Sequence, residues 1–188
     1  LARCVGVHLG RTKDGISLLE EIENNSPVIQ WVYLVLAEIF AKTSKLEKAK
    51  EFAERAIRHH SENEDASIRL DWDGVPLNSK AKKVLARIYN REGMIHLAKE
   101  QNDQAVFAFK RATHQDPQWA EPWLQLGNHF LKRGRNERAK SCLKNAIEAE
   151  KTEGVFIQCA EGHQSMGDYP TAVDLLEQCL LDFKASIN

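Results

Sequence analysis

The strongest constraint on the fold is an internal repeat with a period of about 34 residues. One copy begins at Ala120 and sets large and small apolar residues at fixed spacings. They are Trp123, Leu126, Gly127, Phe130, Ala139, Leu143 and Ala146. Because one such unit cannot bury its own apolar face, copies of this length stack on one another. The repeat therefore predicts an elongated array.

The same roles recur along most of the chain. The copy from Ala86 supplies Tyr89, Gly93, Ala105, Phe109, Ala112 and Pro117. The copy from Glu153 supplies Phe156, Cys159, Ala160, His163, Gly167, Ala172, Leu176 and Cys179. The copy from Gln30 supplies Tyr33, Leu36, Ala37, Phe40, Ala49, Ala53 and Ala56. The predicted organisation is a truncated repeat at 1–29, repeats at 30–62, 86–119, 120–152 and 153–188, and an insertion at 63–85.

This spacing resembles the tetratricopeptide repeat, a pair of helices A and B with an aromatic, Leu-Gly, aromatic and Ala signature. The resemblance implies an all-α fold, a right-handed α-solenoid of stacked helix-turn-helix units with A helices lining its concave face. Small residues would let the helices approach, and large residues would fill the space between them. Ser44, Gly134 and Gly167 fall where helix A should end and turn. Leu1 falls within helix A of the truncated copy, so we expect a fragment of a longer array.

The insertion at 63–85 interrupts the period. It contains Trp72 followed by Gly74 and Pro76, which mark a loop. Alternating lysines and apolar residues follow and suit a lengthened helix A before Ala86. The segment is either a spacer or a partner-binding loop centred on Trp72.

Composition excludes several classes of protein. With 43% hydrophobic and 28% charged residues, the chain has the composition of a globular domain. Its longest apolar run, 31–37, is too short to span a bilayer, so we expect no membrane segment. The cysteines form no CxxC pair, which favours reduced thiols and a cytoplasmic or nuclear location. Residues 80–144 carry 14 Lys and Arg against 6 Asp and Glu, between acidic flanks.

We find no sequence signature of catalysis. The phosphate loop GxxxxGK[ST] and the GxGxxG, HExxH and GxSxG motifs are absent. Cys159 and His163 are spaced to share a metal ion, but both are packing positions of the repeat. We therefore predict no enzyme activity, no cofactor and no metal.

The tetratricopeptide resemblance also implies where a partner could bind. The family's carboxylate clamp, which holds acidic C-terminal peptides of chaperones, is not matched from either Gln30 or Ala86. Groove-facing positions of the A helices instead carry other polar residues. They are Arg87, Asn90, Arg91, Gln125, Asn128 and Gln158. These predict a protein or peptide partner of acidic or polar character.

Two functions follow as hypotheses. The first is a protein-interaction scaffold or adaptor within a multiprotein assembly. The alternative is nucleic-acid binding through the basic central repeats, although stacking aromatics are scarce there. We also expect apolar repeat ends, which would self-associate or be covered by a neighbour.

Overall fold

The computed structural model describes residues 30–62 and 76–184, and eight helices account for nearly all of them. The helices are α1 (Gln30–Lys42), α2 (Leu46–Glu62), α3 (Leu77–Ala98), α4 (Asn102–Gln115), α5 (Ala120–Lys132), α6 (Asn136–Ala149), α7 (Glu153–Ser165) and α8 (Tyr169–Lys184). Within these ranges there is no β-strand. The fold is the predicted all-α helical-repeat solenoid. The predicted truncated repeat at 1–29 and the loop residue Trp72 lie outside the described residues.

Tight turns join helix A to helix B at the same repeat position in each of the four described copies. Ser44, Glu100, Gly134 and Gly167 occupy this point, with φ of 60°, 60°, 66° and 77°. The next backbone N–H then donates to a carbonyl in the last turn of helix A, as Arg135 does to Phe130 at 2.9 Å and Asp168 to His163 at 3.0 Å. The residue in the left-handed conformation reverses the chain direction, and the N–H that follows it pairs with a carbonyl that the end of helix A leaves without a helical partner.

The chain forms two compact units, residues 1–92 and 93–188. In the first unit, α1 packs on α2 through the stacked rings of Phe40 and Phe52, whose centroids are 5.5 Å apart. Gln30 is buried and donates to the Ala56 carbonyl at 2.7 Å. Tyr89 of α3 is buried as well, and its hydroxyl lies 3.4 Å from Glu54 of α2.

Helix α3 begins at Leu77, well before the repeat position Ala86. Leu77, Ala81 and Val84 are buried, whereas Lys82 and Lys83 between them are exposed. The extra turns are therefore amphipathic and pack into the first unit.

The second unit contains the most regular copies. Six of the seven residues predicted to be buried in the copy from Ala120 are buried. The exception is Trp123, which is partly buried because its indole nitrogen donates to the Pro117 carbonyl at 3.2 Å at the surface. Leu143 is fully buried between two glycines. A Cβ on Gly127 would lie 3.0 Å from it, and one on Gly162 would lie 2.7 Å away.

A polar cluster ties α6 to the turn between α7 and α8. Asp168 accepts hydrogen bonds from Lys140 at 2.9 Å and Thr171 at 2.9 Å, and the His163 imidazole lies 3.1 Å away. The Lys140 bond is the first cause of a pKa of Asp168 well below its usual value, with the Thr171 and His163 bonds next. A charged Asp168 thus links two consecutive repeats.

Candidate protein-binding cleft

A cleft of about 370 Å³ opens in the second unit between the end of α3, the start of α4 and one face of α5. Seven of its eight lining residues have polar side chains. The lining residues are Leu97, Glu100, Asn102, Gln125, Asn128, His129, Lys132 and Arg133. The walls are therefore formed by helices α3 and α5, which are the A helices of two consecutive repeats, and by the turn that joins α3 to α4.

Helix α5 supplies the predicted residues Gln125 and Asn128 to this cleft. Gln125 is held in place because its amide donates to Glu121 at 2.6 Å, one helical turn earlier. Asn128 is exposed. Amide side chains offer both donors and acceptors, so this wall can pair with the backbone of an extended chain.

The cleft lining includes two cations. Lys132 and Arg133 are exposed, and neither pairs with a carboxylate in the part of the chain that the structure describes. Glu100 is the only carboxylate of the lining. The cleft lining therefore carries more positive than negative charge, which would attract an anionic group.

His129 is buried in the wall, and its ring meets Phe130 edge-on with centroids 5.7 Å apart. Burial lowers the pKa of this histidine, and nearby Arg133 lowers it further. The imidazole is therefore neutral at pH 7 and adds a polar group without adding charge.

Lys132 and Arg133 were not predicted as groove residues, because they lie outside the A-helix positions taken to face the groove. The helical period could have placed Lys132 correctly. Residues 125, 128 and 132 follow the i, i+3, i+7 spacing of one helix face.

The other predicted groove residues lie elsewhere. Arg87 is exposed on α3, and Gln158 is exposed on α7 outside the cleft lining. Arg91 donates to the Ala41 carbonyl at 2.8 Å and to the Ser44 hydroxyl at 3.1 Å, so it caps the end of α1. The side-chain oxygen of Asn90 is buried and accepts no hydrogen bond from the described residues. A binding role for these four residues stays a prediction.

The pair of residues considered for a metal has other partners. Cys159 is buried and donates to the Leu143 carbonyl at 3.4 Å, and burial raises the pKa of its thiol to about 12. His163 lies against Asp168. In the described ranges, no three His, Cys, Asp or Glu side chains come together as a metal site. No described helix is long and apolar enough to cross a membrane.

The described helices define an all-α helical-repeat protein. Family models described as tetratricopeptide repeat match residues 96–154 and 32–58. The two matched segments are thus tetratricopeptide repeats.

One curated relative is anaphase-promoting complex subunit 3 of Schizosaccharomyces pombe. It is 30% identical over 101 residues, which are 53% of this chain and 15% of that protein. The chain thus matches only a small part of that relative's length.

Solved structures show the same fold at low identity. A crystal structure of MamA has a TM-score of 0.55 at 14% identity, with 94% of each chain covered. The structure of BtubC from P. vanneervenii has a TM-score of 0.56 at 17% identity, covering 96% of this chain and 76% of that one.

Proposed function

We propose that this chain is a protein-interaction scaffold whose second unit binds an acidic or polar segment of a partner in the cleft beside α5. The observation that carries the proposal is the convergence of Gln125 and Asn128 with Lys132 and Arg133 on one cleft. Amides along the wall would pair with the partner's backbone, and the cations would bind its side-chain carboxylates.

The charge of the cleft favours an acidic segment over a basic one. Lys132 and Arg133 have no carboxylate partner among the described residues, so an incoming carboxylate would not have to displace an existing ion pair. Charge of this kind raises the rate of encounter and selects against partners of the same sign. Burial and Arg133 keep His129 neutral, so the two cations would carry the attraction.

The tetratricopeptide repeats support the scaffold role, and the relative from Schizosaccharomyces pombe suggests that the chain acts within a protein complex. The relative's name identifies a subunit of a complex, and the matched segment covers 53% of this chain. We extend this to a role for the chain within a multiprotein assembly. No step of the proposal requires catalysis or a cofactor.

The test uses a short fluorescein-labelled peptide rich in Glu, its Lys-rich counterpart, and fluorescence anisotropy. We expect the intact 188-residue chain to bind the Glu-rich peptide more tightly. Lys132→Glu combined with Arg133→Glu should weaken binding by about tenfold or more. The matched control is Lys144→Glu combined with Lys151→Glu, which reverses two exposed cations away from the cleft and should leave binding within about threefold.

Equal affinity for both peptides, or equal loss in both double variants, would overturn the proposal. The nucleic-acid alternative has a separate readout. A single-stranded oligonucleotide that binds more tightly than the Glu-rich peptide, with a steep loss of affinity as salt rises, would replace the peptide by nucleic acid as the ligand. The partly buried Trp123 and its bond to Pro117 leave little stacking surface near these cations, which favours the peptide.

A further inference from the structure

Gln125, on the wall of the cleft beside α5, has its amide nitrogen engaged within its own helix. The Nε2 atom donates to the carboxylate of Glu121 at 2.6 Å. A carboxylate accepts hydrogen bonds and donates none, so the amide must turn its nitrogen toward Glu121. Glu121 is not part of the cleft lining, and it forms no ion pair with a described cation. This single contact therefore fixes the direction of the Gln125 amide.

The other end of the same amide is the carbonyl oxygen Oε1. No described residue donates a hydrogen bond to this oxygen, and the atom is accessible to solvent. Oxygen and nitrogen lie on opposite sides of the amide carbon, so anchoring the nitrogen leaves the oxygen as the end without a partner. Because Gln125 lines the cleft, it offers this acceptor to a molecule bound there.

An acidic segment has one kind of donor that suits this oxygen. The side chains of Asp and Glu are carboxylates at pH 7, and carboxylates only accept. The donors that such a segment always carries are its backbone N–H groups. Its carboxylates would be repelled by Oε1 and attracted by Lys132 and Arg133, which lie at the end of α5 in the same lining. The cleft thus separates main-chain recognition from side-chain recognition.

We propose that Glu121 is a positioning residue of the cleft, which holds the Gln125 oxygen as the acceptor for a backbone N–H of the acidic partner segment. This inference rests on the proposed function and adds an atom-level contact to it. Lys132 and Arg133 select acidic side chains, and the pair of Glu121 and Gln125 binds the partner's main chain. Glu121 acts only through Gln125 and does not touch the partner.

Glu121→Ala separates positioning from charge. It removes a negative charge next to a cleft that binds an acidic segment, so charge alone would strengthen binding of the Glu-rich peptide. Loss of the anchor frees the Gln125 amide to rotate, which predicts binding weaker by about threefold or more. The matched control is Glu137→Ala, which removes an exposed carboxylate from the first turn of α6, outside the cleft lining. It should leave binding within about twofold.

A second measurement identifies the partner's atom. In one version of the Glu-rich peptide every backbone amide is N-methylated, so that no backbone N–H can donate, and its affinity is compared with that of the ordinary peptide by fluorescence anisotropy. We expect N-methylation to cost at least about threefold less affinity in Gln125→Ala than in the unchanged chain, because the acceptor is gone. Its cost should also shrink in Glu121→Ala. If Glu121 only stabilised α5, Glu121→Ala would lower the melting temperature and leave the cost of N-methylation unchanged.

Two kinds of failure are distinguishable. The inference alone is overturned if the Glu-rich peptide binds through Lys132 and Arg133, but Glu121→Ala binds it as tightly as the unchanged chain or more tightly. It is equally overturned if N-methylation costs the same affinity in the unchanged chain, Gln125→Ala and Glu121→Ala. A Glu-rich peptide that does not bind, or that binds regardless of Lys132 and Arg133, overturns the proposed function and this inference with it.

Discussion

Single glycines set how closely the helices of a repeat approach. At Gly93 a Cβ would lie 2.6 Å from the ring of Phe109, and both positions are buried. Phe109 is fully buried, so the ring has little room to move away from an added methyl group.

We predict that Gly93→Ala lowers the free energy of unfolding by about 1–3 kcal/mol, because the added methyl overpacks the contact with Phe109. Gly127→Ala should cost less, since its Cβ would lie 3.0 Å from Leu143. Gly154→Ala is the control, because no heavy atom lies within 4 Å and alanine favours a helix by up to about 1 kcal/mol. Urea denaturation measures all three, and a Gly93→Ala variant as stable as Gly154→Ala would contradict this packing.

The turns between helices A and B carry a prediction at the scale of the element. Gly134 has φ of 66° with open space around its Cβ position, whereas Glu100 adopts φ of 60° without being glycine. We predict that Gly134→Ala destabilises by about 1 kcal/mol and that Glu100→Gly does not destabilise, since it relieves a left-handed non-glycine residue. Both variants are measured by thermal unfolding, and a change in melting temperature of the same sign and size for the two would refute this account of the turns.

The link between α6 and the α7–α8 turn predicts a pH dependence. Hydrogen bonds from Lys140, Thr171 and His163 lower the pKa of Asp168 in the folded chain. A lowered folded pKa stabilises the fold above the unfolded value of about 3.9, and this stabilisation is lost as pH falls below it. Asp168→Asn should therefore lower the melting temperature at pH 7 and lower it less at pH 3, by circular dichroism. Asp174→Asn, an exposed carboxylate on the same helix, is the control, and the two variants responding alike to pH would contradict the link.

The parts of the helical framework that depend on contacts within one repeat or with its neighbour could be predicted from the sequence. The apolar period placed Leu126, Phe130 and Leu143 in the core, because these side chains need only their own repeat and its neighbour. Glu100 was not anticipated as a left-handed turn, since only glycine or asparagine signals that conformation by residue type.

Other outcomes depend on contacts between distant residues. The groove role of Arg91 stays a prediction, and its hydrogen bonds to Ala41 and Ser44, about 50 residues earlier, could not be predicted from its own helix. Leu176 occupies a packing position of the repeat and is nevertheless exposed, because the described structure places no helix over it. Part of the cleft could be predicted, because Gln125 and Asn128 share one face of α5. The place of Arg133 in the cleft could not, because it depends on the turn at Glu100, which forms part of the same lining.

At the scale of the molecule, the chain combines two compact units built from the same repeat. In the second unit, the same repeat also leaves the cleft beside α5, whose lining includes Lys132 and Arg133.

The most direct test of the central claim is an NMR titration of the isotopically labelled chain with the Glu-rich peptide. The account predicts that backbone amide shifts change at Asn102, Gln125, Asn128, Lys132 and Arg133, that α8 is unaffected, and that Lys132→Glu with Arg133→Glu abolishes the changes. Shifts that cluster on α8 or on the exposed α3 residue Arg87, with the cleft unchanged, would contradict it.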